Sequence, residues 1–408
     1  MKTIYATLIT LFLIQGAIAQ NIDDNKVTFS YIQLPYIKID KKFSTYEIRT
    51  EHEYLKANAD SVLMQEMRLS VAKEWFNQQN NLYMNQKDSL TRSYLKELSI
   101  WEQKTNSGVK NADGSSLKKP DFPLLPAPPE YPKVDSILYH TALEEDQIKT
   151  PIKIEGFKEG LGGVVLTITV HPIQHRNIVE RKKGTSSNTK YEYSAQYILP
   201  IGIKMESPTQ GVLIETMIND GLQSYSLPDQ KTQADYQLYL MDNKDVLYKN
   251  IEASARKAAL SNANSYINNQ FGYVLTNRVA EIYTVKNFKS YNYSDVDNAF
   301  SATNTALQLI KNNQNRADAI PKINLAVKAI DDVLFESNLY DNKARVNDKI
   351  TAMLLCNKAE LLIWKAEFDK VDALINEITN SGEGKARRHI NDEVSFYLDQ
   401  RKRWEAHF

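Results

Sequence analysis

The sequence predicts an α+β fold, in which a β-rich N-terminal body with a helical insertion is followed by an all-α C-terminal region. Alternating and β-branched segments are concentrated before residue 290, whereas apolar residues recur every three or four positions over 59–103 and from about 291 onward. We therefore expect four parts. These are a signal peptide (1–19), strands with a long helical insertion and a Pro-rich connector at 117–133 (20–135), a β-rich to α+β domain (136–290) and a helical domain (291–408).

The first twenty residues have the pattern of a secretory signal peptide. Lys2 precedes an apolar run from Ile4 to Ile14, and Ala17-Ile18-Ala19 forms a small-x-small cleavage site before Gln20. The run holds about 11 residues, whereas a helix needs about 20 to span a bilayer, so a retained anchor is disfavoured. We expect export across the inner membrane of a Gram-negative cell to the periplasm, with an extracellular or peripherally membrane-associated location as the alternatives.

Composition excludes several classes of function. The chain of 408 residues has 50 basic and 50 acidic side chains, which leaves no overall electrostatic attraction for nucleic acid. The single cysteine, Cys356, cannot form an intramolecular disulfide, so packing must stabilise the fold. We expect no integral membrane span after signal cleavage, and the oligomeric state is left open.

The β-rich body is predicted from short segments separated by turn residues. Pro35 indicates that the first of these segments, Val27–Ile39, is an edge strand or bends at the proline. The predicted strands are Val27–Ile39, Tyr46–Tyr54, Ile152–Ile154, Val164–Val170, Tyr191–Ile203, Val212–Met217 and a returning strand at Val279–Val285, with helix from Asp235 in between.

The helical insertion has two apolar stripes. Met64, Met67, Val71 and Trp75 form one stripe, and Tyr83, Leu90, Tyr94, Leu98 and Trp101 form the other. The pattern fits one long helix or a helical hairpin, and it leaves open whether the stripes cover the sheet or project to meet a partner. The Pro-rich segment that follows is either an extended ligand for an aromatic groove or a stiff connector on the protein's own surface.

The segment from Asn357 to Ile378 has the features of two antiparallel helices joined by a tight turn. Ala359 and Ala366 are the small residues, Phe368 is an aromatic wedge, and Val371, Ile375 and Ile378 form the returning face. The segment resembles a tetratricopeptide hairpin, although Ala366 replaces the usual turn glycine.

Upstream residues extend this resemblance over about 291–381. The supporting positions are Ile323, Ala326, Ile330 and Val333, and before them Tyr293, Val296 and Phe300. The units are about 40 residues apart or more, longer than the typical 34, so the region is tetratricopeptide-like instead of a regular array. The resemblance implies a scaffold whose concave face holds a peptide or protein, and we assign Lys358 and Lys365 to that face as candidate partner-binding residues.

No motif predicts a catalytic centre, a cofactor or a metal. His171 and His175 have metal-like spacing only on a helix, and Pro172 disfavours a helix there. Cys356 lies on the inner stripe of a helix, where a thiol acts as a small hydrophobe. Ser61 and Ser136 sit in Asp-Ser-apolar triplets that resemble acceptors of a periplasmic O-glycosylation system.

The leading hypothesis is a non-enzymatic periplasmic scaffold or adaptor that binds an envelope protein or peptide through its helical C-terminal region. The alternative is a glycan- or solute-binding module that uses Tyr191, Tyr193 and Tyr197 as a stacking platform. An envelope enzyme of unrecognised type is the third hypothesis.

Overall fold

The computed structural model describes residues 21–134, 139–183, 190–229, 232–287, 290–310 and 313–408. It confirms the predicted α+β class, because N-terminal sheets are followed by a C-terminal helical region. The predicted signal peptide, 1–19, lies outside the described residues.

The strands and the helices are numbered separately in chain order. The strands are β1 (Asn21–Gln33), β2 (Thr45–His52), β3 (Lys158–Glu159), β4 (Val164–Val170), β5 (Gln174–Lys183), β6 (Lys190–Ile198), β7 (Ile201–Ser207), β8 (Gly211–Ile218), β9 (Gln223–Ser226), β10 (Val274–Asn287), β11 (Ser337–Asn338) and β12 (Val346–Asn347). The helices are α1 (Glu53–Asn106), α2 (Glu145–Lys149), α3 (Gln233–Phe271), α4 (Ser294–Gln308), α5 (Asn313–Leu334), α6 (Asp348–Lys365), α7 (Phe368–Asn380) and α8 (Gly384–Glu405).

The body is built on a five-stranded sheet in the order β3-β2-β4-β7-β8. β2 is parallel to β3 and β4, while β4, β7 and β8 pair antiparallel. Residues in β4 and β7 alternate between buried and half-buried, so one face enters the core and the other faces solvent. Leu166 and Ile203 on the buried face share a core with Ile251 and Ala259 of α3.

Three predicted strands differ in the structure. The segment 191–203 is divided into β6, in a small sheet with β5 and β9, and β7, in the large sheet. The break falls at Pro200, which has no N–H to continue a ladder.

The prediction of a strand at Ile152–Ile154 is wrong. Its side chains are buried as the alternation requires, but helix α3 replaces the neighbouring strand. Lys153 N donates to Asn264 Oδ1 (2.8 Å), and Lys153 O accepts from Asn268 Nδ2 (2.6 Å). The backbone is thus satisfied by amide side chains.

A two-stranded antiparallel ribbon, formed by β1 and β10, joins the ends of the β-rich region. It aligns Val27 with Ala280 and Gln33 with Val274. The predicted strand 27–39 therefore ends earlier, before Pro35. Beyond the proline, Ile37 N donates to Gln270 O (2.8 Å) at the end of α3.

The C-terminal region packs its successive helices α4 to α8 on one another and on the ribbon. The predicted hairpin is present, because α6 ends at Lys365 and α7 begins at Phe368. Ala366 between them adopts φ 61°, the left-handed conformation that a turn glycine would favour. The resemblance to tetratricopeptide repeats stays a prediction. The predicted domain boundaries stay one too, although the ribbon strand β1 shares its core with the helical end.

The insertion is one continuous helix, α1, and not a hairpin. It contains no glycine or proline, so nothing interrupts its hydrogen-bond ladder over 54 residues. At 1.5 Å per residue, this helix is about 80 Å long. Only Tyr54 and Ala72 are buried along it.

Candidate functional site

The base of α1 is anchored to the body through Tyr54. Its hydroxyl accepts from Leu143 N (2.9 Å), and the Arg256 guanidinium lies 4.7 Å from its ring centroid. Arg256 is paired in turn with Glu252 of the same helix (2.8 Å), which also accepts from Thr141 N (3.1 Å). Because these groups come from α1, α3 and the connecting chain, the direction in which α1 leaves the body is set by a buried polar cluster.

The Pro-rich chain 117–134, here called the strap, returns along α1. Trp101 Nε1 donates to Leu117 O (3.0 Å), Tyr94 packs on Phe122 (5.0 Å) and Phe76 packs on Tyr131 (5.2 Å). From Phe76 to Trp101 the helix rises about 38 Å. From Leu117 to Tyr131 an extended strap advances about 43 Å, so the two segments are similar in length. These contacts fit the interpretation of the segment as a connector on the protein's own surface.

The strap packs against one of the two predicted stripes of α1, at Tyr94 and Trp101, which are half-buried. The other stripe stays open to solvent. Its members, Met64, Met67, Val71, Trp75 and Leu82, are 47–67% exposed. They lie three, four or seven positions apart and so share one side of the helix. We call them the open stripe.

A shallow hollow lies where the open stripe meets the strap. Its volume is about 500 Å³, and it is lined by Met67, Val71, Ala72, Trp75 and Pro132 with Arg68 as the polar member. Contiguous exposed apolar surface of this kind is typical of protein interaction sites, and methionine adapts readily to different partners. The hollow contains no titratable acid, nucleophile or metal ligand, so its chemistry is that of apolar binding.

Sequence reasoning found four of the five residues of the open stripe but missed Leu82. The signal that could have found Leu82 is an 11-residue spacing of apolar positions, because Trp75 and Leu82 follow Met64 and Val71 by eleven residues each. Whether the stripe was covered could not be read from its spacing.

The lysines assigned to a partner-binding face, Lys358 and Lys365, lie on α6. Most side chains of this helix are buried. Lys358 Nζ is 2.6 Å from Asp331 Oδ1, and Lys365 Nζ is 2.6 Å from Glu367 Oε1, with the two lysine side chains 23% and 17% exposed. Both ammonium groups are already paired within the chain. Their role in binding stays a prediction, and it would require these pairs to break.

The chain's own ribbon covers another side of α6, away from Lys358 and Lys365. Trp364 of α6 packs edge-on against Phe29 (5.3 Å) and Tyr31 (4.9 Å) of β1. Asn357 pairs with Tyr283 of β10 as a neighbouring strand would, accepting from its N (2.8 Å) and donating to its O (2.9 Å). A partner could enter here only by displacing the ribbon.

A buried ion pair locks the ribbon in place. Arg278 of β10 donates to both carboxylate oxygens of Glu360 on α6 and, at 2.8 Å, to Glu393 on α8. Glu360 also accepts from Trp364 Nε1 (3.0 Å) and Tyr397 OH (3.3 Å). Burial by itself raises the pKa of Glu360. The Arg278 charge and these hydrogen bonds lower the pKa by a larger amount, so the net shift is downward.

Two of the three tyrosines proposed as a glycan platform are covered, and the platform itself stays a prediction. Tyr193 and Tyr197 are buried and Tyr191 is half-buried. Tyr193 already stacks on Tyr236 of α3, with 3.5 Å between ring centroids. The alternation of β6 explains these residues as core packing.

The two candidate glycosylation serines stay untested. Ser61 lies in the third turn of α1, where the helical backbone and its half-buried position restrict access. Ser136 lies outside the described residues.

Metal-ligating and thiol side chains could also support chemistry. No group of three or more His, Cys, Asp or Glu there is arranged to hold a metal. Burial raises the pKa of the Cys356 thiol to about 12. Nor does any helix in the described ranges combine the length and apolar character that crossing a membrane requires.

Comparison with known proteins returned no match for this chain among protein-family models, curated proteins or solved structures.

Proposed function

We propose that this protein is a non-enzymatic adaptor of the cell envelope that captures a partner protein on the open stripe of α1. One observation carries the proposal. Five large apolar side chains lie on one side of an 80 Å helix, and they remain 47–67% exposed although the strap covers another side of the same helix.

The partner that fits this surface is an amphipathic helix of another protein. The open stripe has the three-and-four spacing that accepts a helix laid along it, and the hollow beside Pro132 can receive a bulky apolar side chain. The signal-peptide pattern of 1–19 supports a partner in the periplasm. On the alternative surface, at Lys358 and Lys365 of α6, both ammonium groups are already paired within the chain.

The test places charge on the open stripe without touching the core. The double variant Met67→Lys with Val71→Lys should abolish in-cell crosslinking to partner proteins. Both side chains are more than 60% exposed, so circular dichroism and the melting temperature should stay unchanged. The matched control carries Asn77→Lys and Asn81→Lys, two exposed positions on another side of the same helix.

Crosslinks that survive in the stripe variant would refute the proposal, as would equal loss in the control. Truncation before residue 291 is a poorer test, because β1 and β10 would lose the helices that bury Phe29, Tyr31 and Tyr283. Partners lost on such a truncation could reflect unfolding of the ribbon.

A further inference from the structure

A second binding feature lies on the body, between the small sheet and α3. It is a cavity of about 200 Å³. Its floor is apolar and well covered, since Ala195, Leu247 and Ile251 are each less than 7% exposed. A cavity of about 150 Å³ accepts a molecule as large as benzene, so this one has room for an aromatic ring or a short alkyl chain.

The polar groups of the lining have one sign of charge. Arg176 of β5 and Lys244 of α3 line the cavity, and none of its lining residues is an aspartate or glutamate. Arg176 uses one of its nitrogens to donate to Gln174 (2.8 Å), which leaves further donors on its guanidinium. The nearby carboxylate of Glu252 is engaged by Arg256 (2.8 Å) and so does not neutralise these cations.

The wall of the cavity includes a half-buried imidazole. His175 packs edge-on against Tyr248, with 4.5 Å between ring centroids and 80° between planes. Burial lowers its pKa, so the ring is neutral at pH 7 and adds hydrogen-bonding capacity but no charge.

We propose that this cavity binds a small anionic amphiphile, in which a carboxylate lies at the rim near Arg176 and Lys244 and an alkyl or aromatic tail rests on Ala195, Leu247 and Ile251. An apolar floor with a few cationic groups at its edge matches both halves of such a molecule. None of the residues that line this cavity belongs to α1, and the proposal does not depend on the open stripe.

Octanoate, octanol and octylammonium provide a matched set of probes, because they share a tail and differ in charge. Titration calorimetry of the full mature chain at pH 7.5 should give a Kd of about 0.1–1 mM for octanoate. Octanol should bind about tenfold more weakly and octylammonium not measurably. Equal binding of octanoate and octanol, or no octanoate binding up to 10 mM ligand in the calorimeter cell, would overturn the proposal.

Two variants separate the contributions of charge and cavity. Lys244→Glu should weaken octanoate binding about tenfold or more, whereas Lys257→Glu, an exposed lysine farther along α3, should leave it unchanged. Ala195→Leu should fill the floor and reduce binding of octanol as well as octanoate. Since Lys244 is exposed, its variant tests the proposal even if Ala195→Leu folds poorly. Unchanged octanoate binding in Lys244→Glu would refute the assignment of the rim.

Discussion

Replacing Glu360 by glutamine should destabilise the fold more than any other single loss of charge in the helical region. Its carboxylate is 3% exposed and is shared by groups from β10, α6 and α8. The substitution keeps the size of the side chain but removes the charge that faces Arg278. Arg278 is itself only 9% exposed, so water cannot replace the lost partner.

The expected magnitude follows from what Arg278 retains. Removing one partner of a buried ion pair typically costs about 3–5 kcal/mol. Here Glu393 remains 2.8 Å away and the Phe396 ring 3.7 Å away, so compensation is partial and the lower end applies. We expect a loss of about 3 kcal/mol in the free energy of unfolding, which corresponds to a urea midpoint lower by about 1 M.

Tryptophan fluorescence during urea unfolding at pH 7 is a suitable assay, because Trp364 donates a hydrogen bond directly to Glu360. Asp332→Asn is the matched control. It removes a carboxylate from the pair with Lys328, whose partners are 70% and 64% exposed, and should cost less than about 0.5 kcal/mol. A loss below about 1 kcal/mol for Glu360→Gln would refute the reasoning that this pair locks the ribbon.

The lowered pKa of Glu360 also makes the stability of the fold depend on pH with a definite sign. The pKa of Glu360 is lowered on folding, so its charge contributes stability above the unfolded pKa of about 4.3, and this contribution is lost as the pH falls through the folded value. The deficit of Glu360→Gln should therefore be full at pH 7 and should shrink below about pH 4. A deficit that grows on acidification would contradict this assignment.

Three further predictions concern backbone and thiol positions. Ala366→Gly should raise stability by about 0.5–1 kcal/mol in urea unfolding, because φ is 61° at this turn; a loss would contradict that view. Gly163→Ala should lower the free energy of unfolding by more than about 3 kcal/mol, because a Cβ there would lie 1.8 Å from Thr45 O. Gly221→Ala is the control and should be neutral, because its Cβ meets nothing within 4 Å. Equal effects of the two substitutions would count against this packing. The buried Cys356 thiol, with its pKa raised to about 12, should resist Ellman's reagent at pH 8 until urea unfolds the chain, so rapid labelling of the folded protein would disprove its burial.

Local patterns in the sequence predict much of the secondary structure. The alternation in Val164–Val170 predicts a half-buried strand, and the absence of Gly and Pro over 53–106 permits the single helix that was one of two expectations. The small residue Ala366 between two apolar helical patterns predicts the α6–α7 hairpin. In each case the deciding interactions lie within a few residues of one another, so the sequence order carries them.

Pairings between distant segments could not be predicted in this way. β1 and β10 are about 250 residues apart, and nothing in either strand specifies the other. The prediction of a concave partner-binding face on α6 therefore did not anticipate that the ribbon would pack on another side of the same helix. The buried pair of Arg278 and Glu360 is likewise invisible in the sequence, because neither residue differs from an ordinary surface charge until folding brings them together.

Sequence periodicity specifies which side of each element is apolar, and hence the α+β class and the two stripes of α1. Which of those apolar sides are covered depends on how the elements pack together. The strap packs against the stripe of Tyr94 and Trp101 and leaves the stripe of Met64, Met67 and Val71 exposed, although both have helical spacing. The physical reason is that periodicity records the geometry of one element, whereas burial depends on which other part of the chain is long enough and close enough to pack against it.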